Sequence, residues 1–375
     1  MSWNQINSLY YKKDENFKFK EKILAFDFDG TLFDSLNNNK FPLNKDDLKI
    51  KDQKIFDKIL KYSKEYCIIV ISNQGGISKN KITLQEVKEK LDFGMNYLRK
   101  MGLSIMICFS SDYDNYRKPH TGIWNEILTQ SSFHNTEYMD NNLNNPYEFI
   151  YVGDAAGRIK TKTFKKDFSD SDRMFAYNIK AKFITPEEYI GLLSREWKWS
   201  NDFYPLKNNF NTNKEIEITI GKKPEIIIMV GYPGSGKSTL SYKLSQKFNY
   251  NIVNNDSSKS FAKTKKEFIN NLSQNKSVII DNTNSSKKNR KVFIELAKNY
   301  KYNIRCIWIQ CSLQLSYHLN QMRTEISGKK SIPKVAYYTF RKYFEEPTLD
   351  EGINEIIPIQ FILDKNKIAF WRYYN

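Results

Sequence analysis

The segment Ile23-Leu-Ala-Phe-Asp27-Phe-Asp29-Gly30-Thr31 decides the fold of the first half of the chain. The apolar run Ile23–Phe28 predicts a buried strand, and the glycine predicts a tight turn after it. Open α/β sheets bind their ligands at the carboxyl ends of such strands. The segment therefore predicts an α/β domain with a site that begins at two aspartates.

A second apolar strand, Glu225–Val230, leads into Gly231-Tyr-Pro-Gly-Ser-Gly-Lys-Ser238. This stretch fits the phosphate-binding pattern G-x-x-x-x-G-K-[ST], and a helix is predicted over Thr239–Phe248. Strand-like and helix-like segments alternate after both motifs, which predicts parallel sheets with helices on both faces. We expect an α/β protein of two doubly wound parallel-sheet domains, at residues 1–205 and 224–375, joined by a polar, Asn-rich linker at 206–223.

The composition of the 375 residues fits two packed domains with a polyanionic partner. Lysine and arginine exceed aspartate and glutamate by 59 to 42, which gives a formal net charge of +17. Such an excess attracts nucleic acid, although a biased genome composition also produces abundant lysine. The four cysteines lack the spacing of a zinc site and are too few for a disulfide scaffold. No apolar run reaches the length of a membrane span. We expect a soluble, intracellular monomer without a membrane partner, in the nucleus or, for a viral protein, in a cytoplasmic virus factory.

The two aspartates of the first motif are spaced for phosphoryl transfer. Asp27 can attack phosphorus as a nucleophile and form an aspartyl-phosphate. Asp29 can protonate the leaving alkoxide and later activate water. Thr31 closes the turn and is a candidate substrate contact. The alternative is a turn rich in capping aspartates with no chemistry.

Three later segments add groups at predicted strand ends. A hydroxyl and two amides follow one strand, two cations follow the next, and a carboxylate suited to Mg²⁺ follows another. We assign catalytic roles to Ser72 and Lys118, substrate contacts to Asn73, Gln74 and Arg117, and Mg²⁺ binding to Asp27, Asp29 and Asp154.

This order of groups resembles the four motifs of the haloacid dehalogenase phosphatase superfamily. The resemblance implies that the first motif's aspartates are nucleophile and acid/base, and that both share Mg²⁺ with a fourth-motif aspartate, the second of them through its backbone. The intervals between Asp29 and Ser72, and between Ser72 and Lys118, leave no room for a large cap domain. An uncapped site is open to the end of a polymer.

The second motif predicts a site for ATP with Mg²⁺. Backbone amides and the helix N-terminus hold the phosphates, the lysine reaches the outer phosphates, and the serine hydroxyl binds Mg²⁺. The predicted cofactor-binding residues are Gly231, Gly234, Ser235, Gly236, Lys237, Ser238 and Thr239.

Candidate residues for the acceptor side follow the next strands. Asp256 can take the proton from an acceptor hydroxyl, and Asp281 and Asn282 are candidate substrate contacts. Arg323 precedes a predicted lid at Gly328–Ser331 and can stabilise charge on the phosphates. The alternatives are a surface aspartate in a polar loop and an exposed helix arginine without a role.

With both motif sets in one chain, the sequence resembles the polynucleotide kinase 3′-phosphatase family of DNA end-processing enzymes. The resemblance is carried by strings such as Tyr151-Val-Gly-Asp-Ala-Ala-Gly-Arg158, Lys166-Asp-Phe-Ser-Asp-Ser-Asp-Arg173 and Tyr343-Phe-Glu-Glu-Pro-Thr348. It implies an enzyme that removes 3′-phosphates and phosphorylates 5′-hydroxyls with ATP and Mg²⁺, preparing breaks for ligation. It also implies that Asp167 and Asp172 support the phosphatase site.

The chain departs from the family pattern at three positions. Ser72 replaces the usual threonine, Asn255 replaces an arginine of animal members, and Gln321 replaces one of two lid arginines. The last two changes remove positive charge near the predicted kinase site. About 20 residues precede the first strand, so we expect neither the forkhead-associated domain of vertebrate members nor its docking to phosphorylated scaffolds. RNA ends, a small-metabolite kinase fusion, and a binding protein with a decayed kinase half remain alternatives.

Overall fold

The computed structural model describes residues 2–129, 148–161, 165–192, 198–199, 218–219, 221, 224–258 and 260–360. The chain divides into two compact units, which we call the first unit (residues up to Asp202) and the second unit (Phe203–Tyr374). The predicted linker at 206–223 lies almost wholly outside the described residues and stays a prediction. In the described part of the chain, no helix is long and apolar enough to cross a membrane.

The first unit is a seven-stranded sheet with helices on both faces. Its strand order is β1-β2-β7-β6-β3-β8-β9, in which β3, β6, β7, β8 and β9 run parallel, β2 pairs antiparallel with β7, and β1 pairs antiparallel with β2. The main strands are β1 (Asn4–Ile6), β2 (Leu9–Lys13), β3 (Lys22–Phe26), β6 (Tyr66–Asn73), β7 (Ile105–Ser110), β8 (Glu148–Val152) and β9 (Lys182–Ile184), and a separate hairpin is formed by β4 (Phe33–Ser35) and β5 (Leu48–Ile50). The helices are α1 (Gln53–Tyr62), α2 (Leu84–Lys100), α3 (Gly122–Thr129), α4 (Ser171–Asn178) and α5 (Pro186–Tyr189).

The central position of β3 brings the predicted site residues to one edge. Phe26 is in register with Val70 of β6 and Val152 of β8, and the three strands run parallel. The residues that follow each strand therefore lie at the same edge of the sheet. The strand predicted over Ile23–Phe28 ends earlier, at Phe26, because the backbone bends at Phe28. Phe28 remains buried by packing on Phe33 after the turn.

Helix α2 forms because its sequence is amphipathic and well capped. Thr83 and Glu86 make a reciprocal capping box at its start. Its inner face contributes Val87, Leu91 and other apolar residues to one of two cores that cover the faces of the sheet.

The second unit is a five-stranded parallel sheet in the order β11-β12-β10-β13-β14. Apolar clusters cover both of its faces. Its strands are β10 (Glu225–Val230), β11 (Asn251–Val253), β12 (Val278–Ile280), β13 (Asn303–Gln310) and β14 (Glu355–Gln360). Its helices are α6 (Lys237–Phe248), α7 (Asn255–Ser258), α8 (Phe261–Ser273), α9 (Lys287–Asn299), α10 (Leu313–Ser327) and α11 (Lys334–Tyr343). The phosphate-loop motif follows the central strand, so its ligand site lies at the middle of the carboxyl edge. Both units confirm the predicted doubly wound α/β class.

Candidate active sites

Asp27 lies in a buried network at the end of β3. The Nζ atom of Lys118 lies 2.7 Å from the Asp27 Oδ1 atom and 2.7 Å from the Asp172 Oδ1 atom. The same ammonium donates hydrogen bonds of 2.7 Å to the Ile71 carbonyl and the Tyr151 hydroxyl. Lys118 is only 1% exposed. Its positive charge is therefore paired with the carboxylates of the site, where it can stabilise the ionised form of the nucleophile.

Three carboxylates crowd this network. Asp27, Asp154 and Asp172 each offer an oxygen atom, and these atoms lie within 4.8 Å of one another. Burial raises the pKa of Asp27 to about 7, with Asp172 adding to the rise and Lys118 opposing it. Burial and the charges of Asp27 and Asp172 raise the pKa of Asp154 well above its ordinary value. A cluster of hard oxygen donors with excess negative charge fits a Mg²⁺ ion.

The turn after Asp27 fixes the position of Asp154. The Thr31 hydroxyl accepts a hydrogen bond of 3.0 Å from the Asp154 backbone N–H and lies 3.5 Å from a carboxylate oxygen of Asp27 and of Asp154. Gly30 has a φ of +81°, and a Cβ atom there would lie 2.6 Å from an Asp154 oxygen. The threonine predicted to bind substrate therefore also holds the acidic cluster together.

The Asp29 carboxylate is outside the three-carboxylate cluster. Gln74 Nε2 donates to Asp29 Oδ2 at 2.6 Å and to the Ser72 hydroxyl at 2.8 Å. Lys90 Nζ lies 2.9 Å and 3.0 Å from the two Asp29 oxygens. A metal contact through the Asp29 backbone stays a prediction from the superfamily resemblance.

The structure gives Asn73 and Arg117 different surroundings. Asn73 donates to the Lys118 carbonyl at 3.0 Å and accepts from the Lys118 N–H at 2.9 Å, so it fixes the backbone that carries the buried lysine. Arg117 packs 4.2 Å from the Tyr113 ring centre. Its buried Nη1 atom has no hydrogen-bond partner among the described residues, so it can donate to an anion.

The segment Lys166–Arg173 places one aspartate in the acidic cluster and another beside it. Asp172 is a member of it, as described above. Asp167 accepts from Arg158 Nε at 2.8 Å, and Arg158 Nη2 lies 3.3 Å from the Asp154 carbonyl. Asp167 therefore supports the site from one step away. These positions agree with what the family resemblance implies for both residues.

The phosphate loop of the second unit surrounds its own lysine. Lys237 Nζ donates to the Gly231 carbonyl at 2.9 Å and the Tyr232 carbonyl at 2.6 Å. Gly234 has a φ of +74°, and a Cβ atom there would lie 2.9 Å from the Ser316 carbonyl, so only glycine fits. Ser235 is buried, whereas Gly236, Ser238 and Thr239 are exposed at the start of α6. The predicted cofactor-binding residues therefore share one loop and one helix N-terminus.

Known proteins match both halves. The family model described as Polynucleotide kinase 3 phosphatase matches residues 22–190, and the model described as an AAA domain matches residues 226–347. The bifunctional polynucleotide phosphatase/kinase of Schizosaccharomyces pombe is 32% identical over 381 residues, covering all of this chain and 88% of that protein. The chain belongs to the bifunctional polynucleotide phosphatase/kinase family. A protein of Acanthamoeba polyphaga mimivirus, named provisionally as another such enzyme, is 35% identical over 377 residues, covering 92% of this chain and 86% of that protein.

Membership in the polynucleotide phosphatase/kinase family assigns the first unit to the phosphatase and the second to the kinase. In the kinase unit, Asp256 lies on α7, directly after β11. Asn282 Oδ1 accepts a 2.9 Å hydrogen bond from the Asn255 N–H, and Asn255 Oδ1 accepts one of 2.9 Å from the Thr264 hydroxyl. The predicted substrate contact Asn282 therefore anchors the short helix that carries Asp256. Asp281 directly follows β12 and is half-buried.

Amide side chains connect the predicted lid of the kinase unit to helix α10 and to the phosphate loop. Arg323 Nη2 donates to Asn320 Oδ1 at 3.0 Å. Asn320 also bonds Ser331, at the end of the predicted lid, and the following residue Ile332, and its Cβ atom packs against Gly234 of the phosphate loop. Gln321 donates to the Tyr317 hydroxyl and accepts from Ser331. Arg323 is therefore separated from the phosphate loop by one buried asparagine.

Sequence reasoning missed an aromatic pair in the phosphatase unit, formed by the half-buried Phe41 and the exposed Phe168. Their ring centres are 5.5 Å apart, and Lys40 Nζ lies 3.4 Å from the Phe168 ring centre. Phe168 is 64% exposed. Pro42 follows Phe41, and its carbonyl accepts from the Lys90 ammonium that also donates to Asp29. This contact places the Phe41–Phe168 pair beside the candidate acid. The signal available in the sequence was an aromatic residue inside the acidic string Lys166–Arg173.

Proposed function

We propose that the phosphatase unit removes phosphate from the 3′ ends of DNA and that the kinase unit uses ATP to phosphorylate 5′-hydroxyl ends. The observation that carries the first activity is the buried contact of Asp27 with Lys118 amid Asp154 and Asp172 at a strand end. The phosphate loop with its buried lysine supports the second. Together the two activities would prepare a broken strand for ligation.

Each step of 3′-phosphate removal has a candidate group. An Asp27 oxygen attacks phosphorus, the bond from phosphorus to the 3′ oxygen breaks, and Asp29 gives that oxygen a proton. Water, deprotonated by Asp29, then attacks the aspartyl-phosphate and releases inorganic phosphate. The Lys118 ammonium opposes protonation of Asp27 and so favours its nucleophilic, ionised form. The Arg117 Nη1 atom donates to a phosphate oxygen. Mg²⁺ held by the acidic cluster would neutralise charge on the phosphate.

The kinase step is assigned to residues around the phosphate loop. The loop amides and Lys237 hold the phosphates of ATP, and the Ser238 hydroxyl would contribute to a Mg²⁺ site. Asp256 takes the proton from the 5′ hydroxyl as its oxygen attacks the terminal phosphorus. Arg323 stabilises the charge that develops on the transferring group.

Two observations support a nucleic-acid substrate. The chain has a formal charge of +17, which favours a polyanion. The described residues between Asp27 and Lys118 include no cap domain; the segment from β3 to β6 holds the β4–β5 hairpin, a short 3-10 helix at Lys45–Asp47, and α1. The absence of a cap among these residues supports a site that receives the end of a strand.

We expect the protein to repair a nicked DNA duplex that carries 3′-phosphate and 5′-hydroxyl ends. With Mg²⁺ and ATP, both termini should be converted, and a DNA ligase added afterwards should seal the nick. The products are resolved by denaturing electrophoresis, with a parallel duplex whose nicked strand is RNA. Conversion of nucleoside monophosphates with no conversion of the nick would overturn the polymer assignment, and faster conversion of the RNA nick would move the substrate to RNA.

The Phe41–Phe168 pair should stack on bases near the 3′ end. Phe168→Ala is expected to raise the KM for a single-stranded 3′-phosphate oligonucleotide by about 5- to 150-fold, since stacking of one base on an aromatic side chain contributes roughly 1–3 kcal/mol. Steady-state phosphate release measures this. Phe93→Ala, at an exposed phenylalanine of α2, is the matched control. An unchanged KM for Phe168→Ala would remove the pair from the binding surface.

A further inference from the structure

Lys90 is a buried lysine on the inner face of α2 with no role in the mechanism above. It is 1% exposed and lies one residue before Leu91, among apolar residues that pack on the sheet. A charged side chain is almost never buried this completely unless it is paired. Its partner is Asp29, the candidate acid/base.

All the hydrogen-bonding capacity of the Lys90 ammonium is used. Its Nζ atom lies 2.9 and 3.0 Å from the Asp29 carboxylate oxygens, 3.1 Å from the Pro42 carbonyl and 3.2 Å from Gln74 Oε1. An ammonium has three N–H donors, and these three residues accept them. Lys90 therefore has no donor left for a substrate phosphate, in contrast to Arg117.

The anchors around Lys90 are themselves fixed. Pro42 precedes Leu43, whose N–H donates to the buried Asp47 at 3.1 Å. Asp47 also accepts from the Ser35 hydroxyl and the Asn37 N–H. Burial raises the pKa of Asp47, but these hydrogen bonds outweigh it and lower the pKa below its ordinary value. Lys90 thus connects Asp29 to a loop whose backbone is fixed by hydrogen bonds to the buried Asp47.

We infer that Lys90 is a positioning residue, which fixes the Asp29 carboxylate so that it can give its proton to the leaving 3′ oxygen. The inference rests on the proposed phosphatase function. A misplacement of about 1 Å at a reacting group can reduce the rate by roughly 10²-fold. Loss of Lys90 should therefore act on the step that needs the acid.

The test compares two leaving groups on one substrate. One oligonucleotide carries an ordinary 3′-phosphate, and the other carries sulfur in place of the bridging 3′ oxygen, so that a thiolate leaves without protonation. Lys90→Met should lower kcat/KM for the oxygen substrate by about 10- to 100-fold. It should lower kcat/KM for the sulfur substrate by about threefold or less. The ratio kcat/KM reports only the steps up to the first irreversible one, which is departure of the leaving group, so the later hydrolysis of the aspartyl-phosphate does not affect it.

Two comparison variants define the result. Lys12→Met removes another nearly buried lysine that pairs with α2, through Asp92 at 2.7 Å, and should change neither value. Asp29→Asn should show the same preference for sulfur as Lys90→Met. The double variant Asp29→Asn with Lys90→Met leaves no lone buried charge and should lose no more than Asp29→Asn alone.

Equal loss on both substrates would assign Lys90 a purely structural role and overturn the inference, as would a Lys90→Met protein as active as the Lys12→Met control. Independent losses in the double variant would also overturn it. An unsubstituted protein that releases phosphate from neither substrate would instead reject the proposed phosphatase function. If Lys90→Met does not fold, the double variant and Lys90→Arg, which retains the charge, give the same comparison.

Discussion

Asp27→Asn is expected to abolish 3′-phosphate release while 5′ phosphorylation by the same protein continues at the parental rate. Asparagine retains the shape of the side chain but cannot attack phosphorus, so the rate should fall by roughly 10⁴-fold or more. Lys118 keeps its contacts with Asp172, Tyr151 and the Ile71 carbonyl, so the site should stay assembled. Phosphate release and transfer of labelled phosphate from ATP, measured on one preparation, check both halves.

The matched control for this change is Asp57→Asn on the exposed face of α1, which should leave both activities unaltered. If Asp27→Asn released phosphate at more than a few per cent of the parental rate, the nucleophile would have to be another carboxylate of the cluster. A loss of kinase activity in folded Asp27→Asn protein would contradict the assignment of the two reactions to separate units.

Lys237→Met should have the opposite effect. Removal of a single charge-stabilising donor from a preorganised site typically costs about 10²–10³-fold in kcat. The 5′ phosphorylation rate should fall by at least this factor, and 3′-phosphate release should not change. Lys243→Met replaces an exposed lysine of the same helix, α6, and serves as the control. Kinase activity retained in Lys237→Met would show that ATP is bound elsewhere.

Local motifs made the centre of each site predictable. Asp27 and the phosphate loop follow apolar strands directly, so their position at a sheet edge could be inferred from a few adjacent residues. The proximity of Asp154 to Asp27 also followed, because parallel strands end on the same edge. The assignments of chemical roles remain predictions.

Contacts that depend on tertiary packing could not be predicted in this way. Lys90 occupies a helix position that a polar residue usually presents to solvent, and only the pairing with Asp29 explains its burial. Asn282 follows β12 as predicted, whereas Ser72 and Asn73, predicted to follow a strand, are the last two residues of β6 because their pairing with β7 continues to Ser110. Asn73 and Asn282 both accept from backbone N–H groups, which no sequence pattern distinguishes from binding a phosphate. The antiparallel strands β1 and β2 are short and partly polar, so they lack a clear apolar alternation.

Two glycines limit how this phosphatase site can change during evolution. Beside Gly30, Gly153 lies where a Cβ atom would come 2.5 Å from an Asp172 oxygen. The backbone therefore touches the acidic cluster on two sides, and even one added methyl group would displace a carboxylate. The Phe41–Phe168 pair does not form part of this cluster, so it can change one substitution at a time. A change in the acidic cluster requires the backbone around it to move first. We therefore expect sequence changes to accumulate at the periphery of the site, while Gly30, Gly153 and the acidic cluster stay constant.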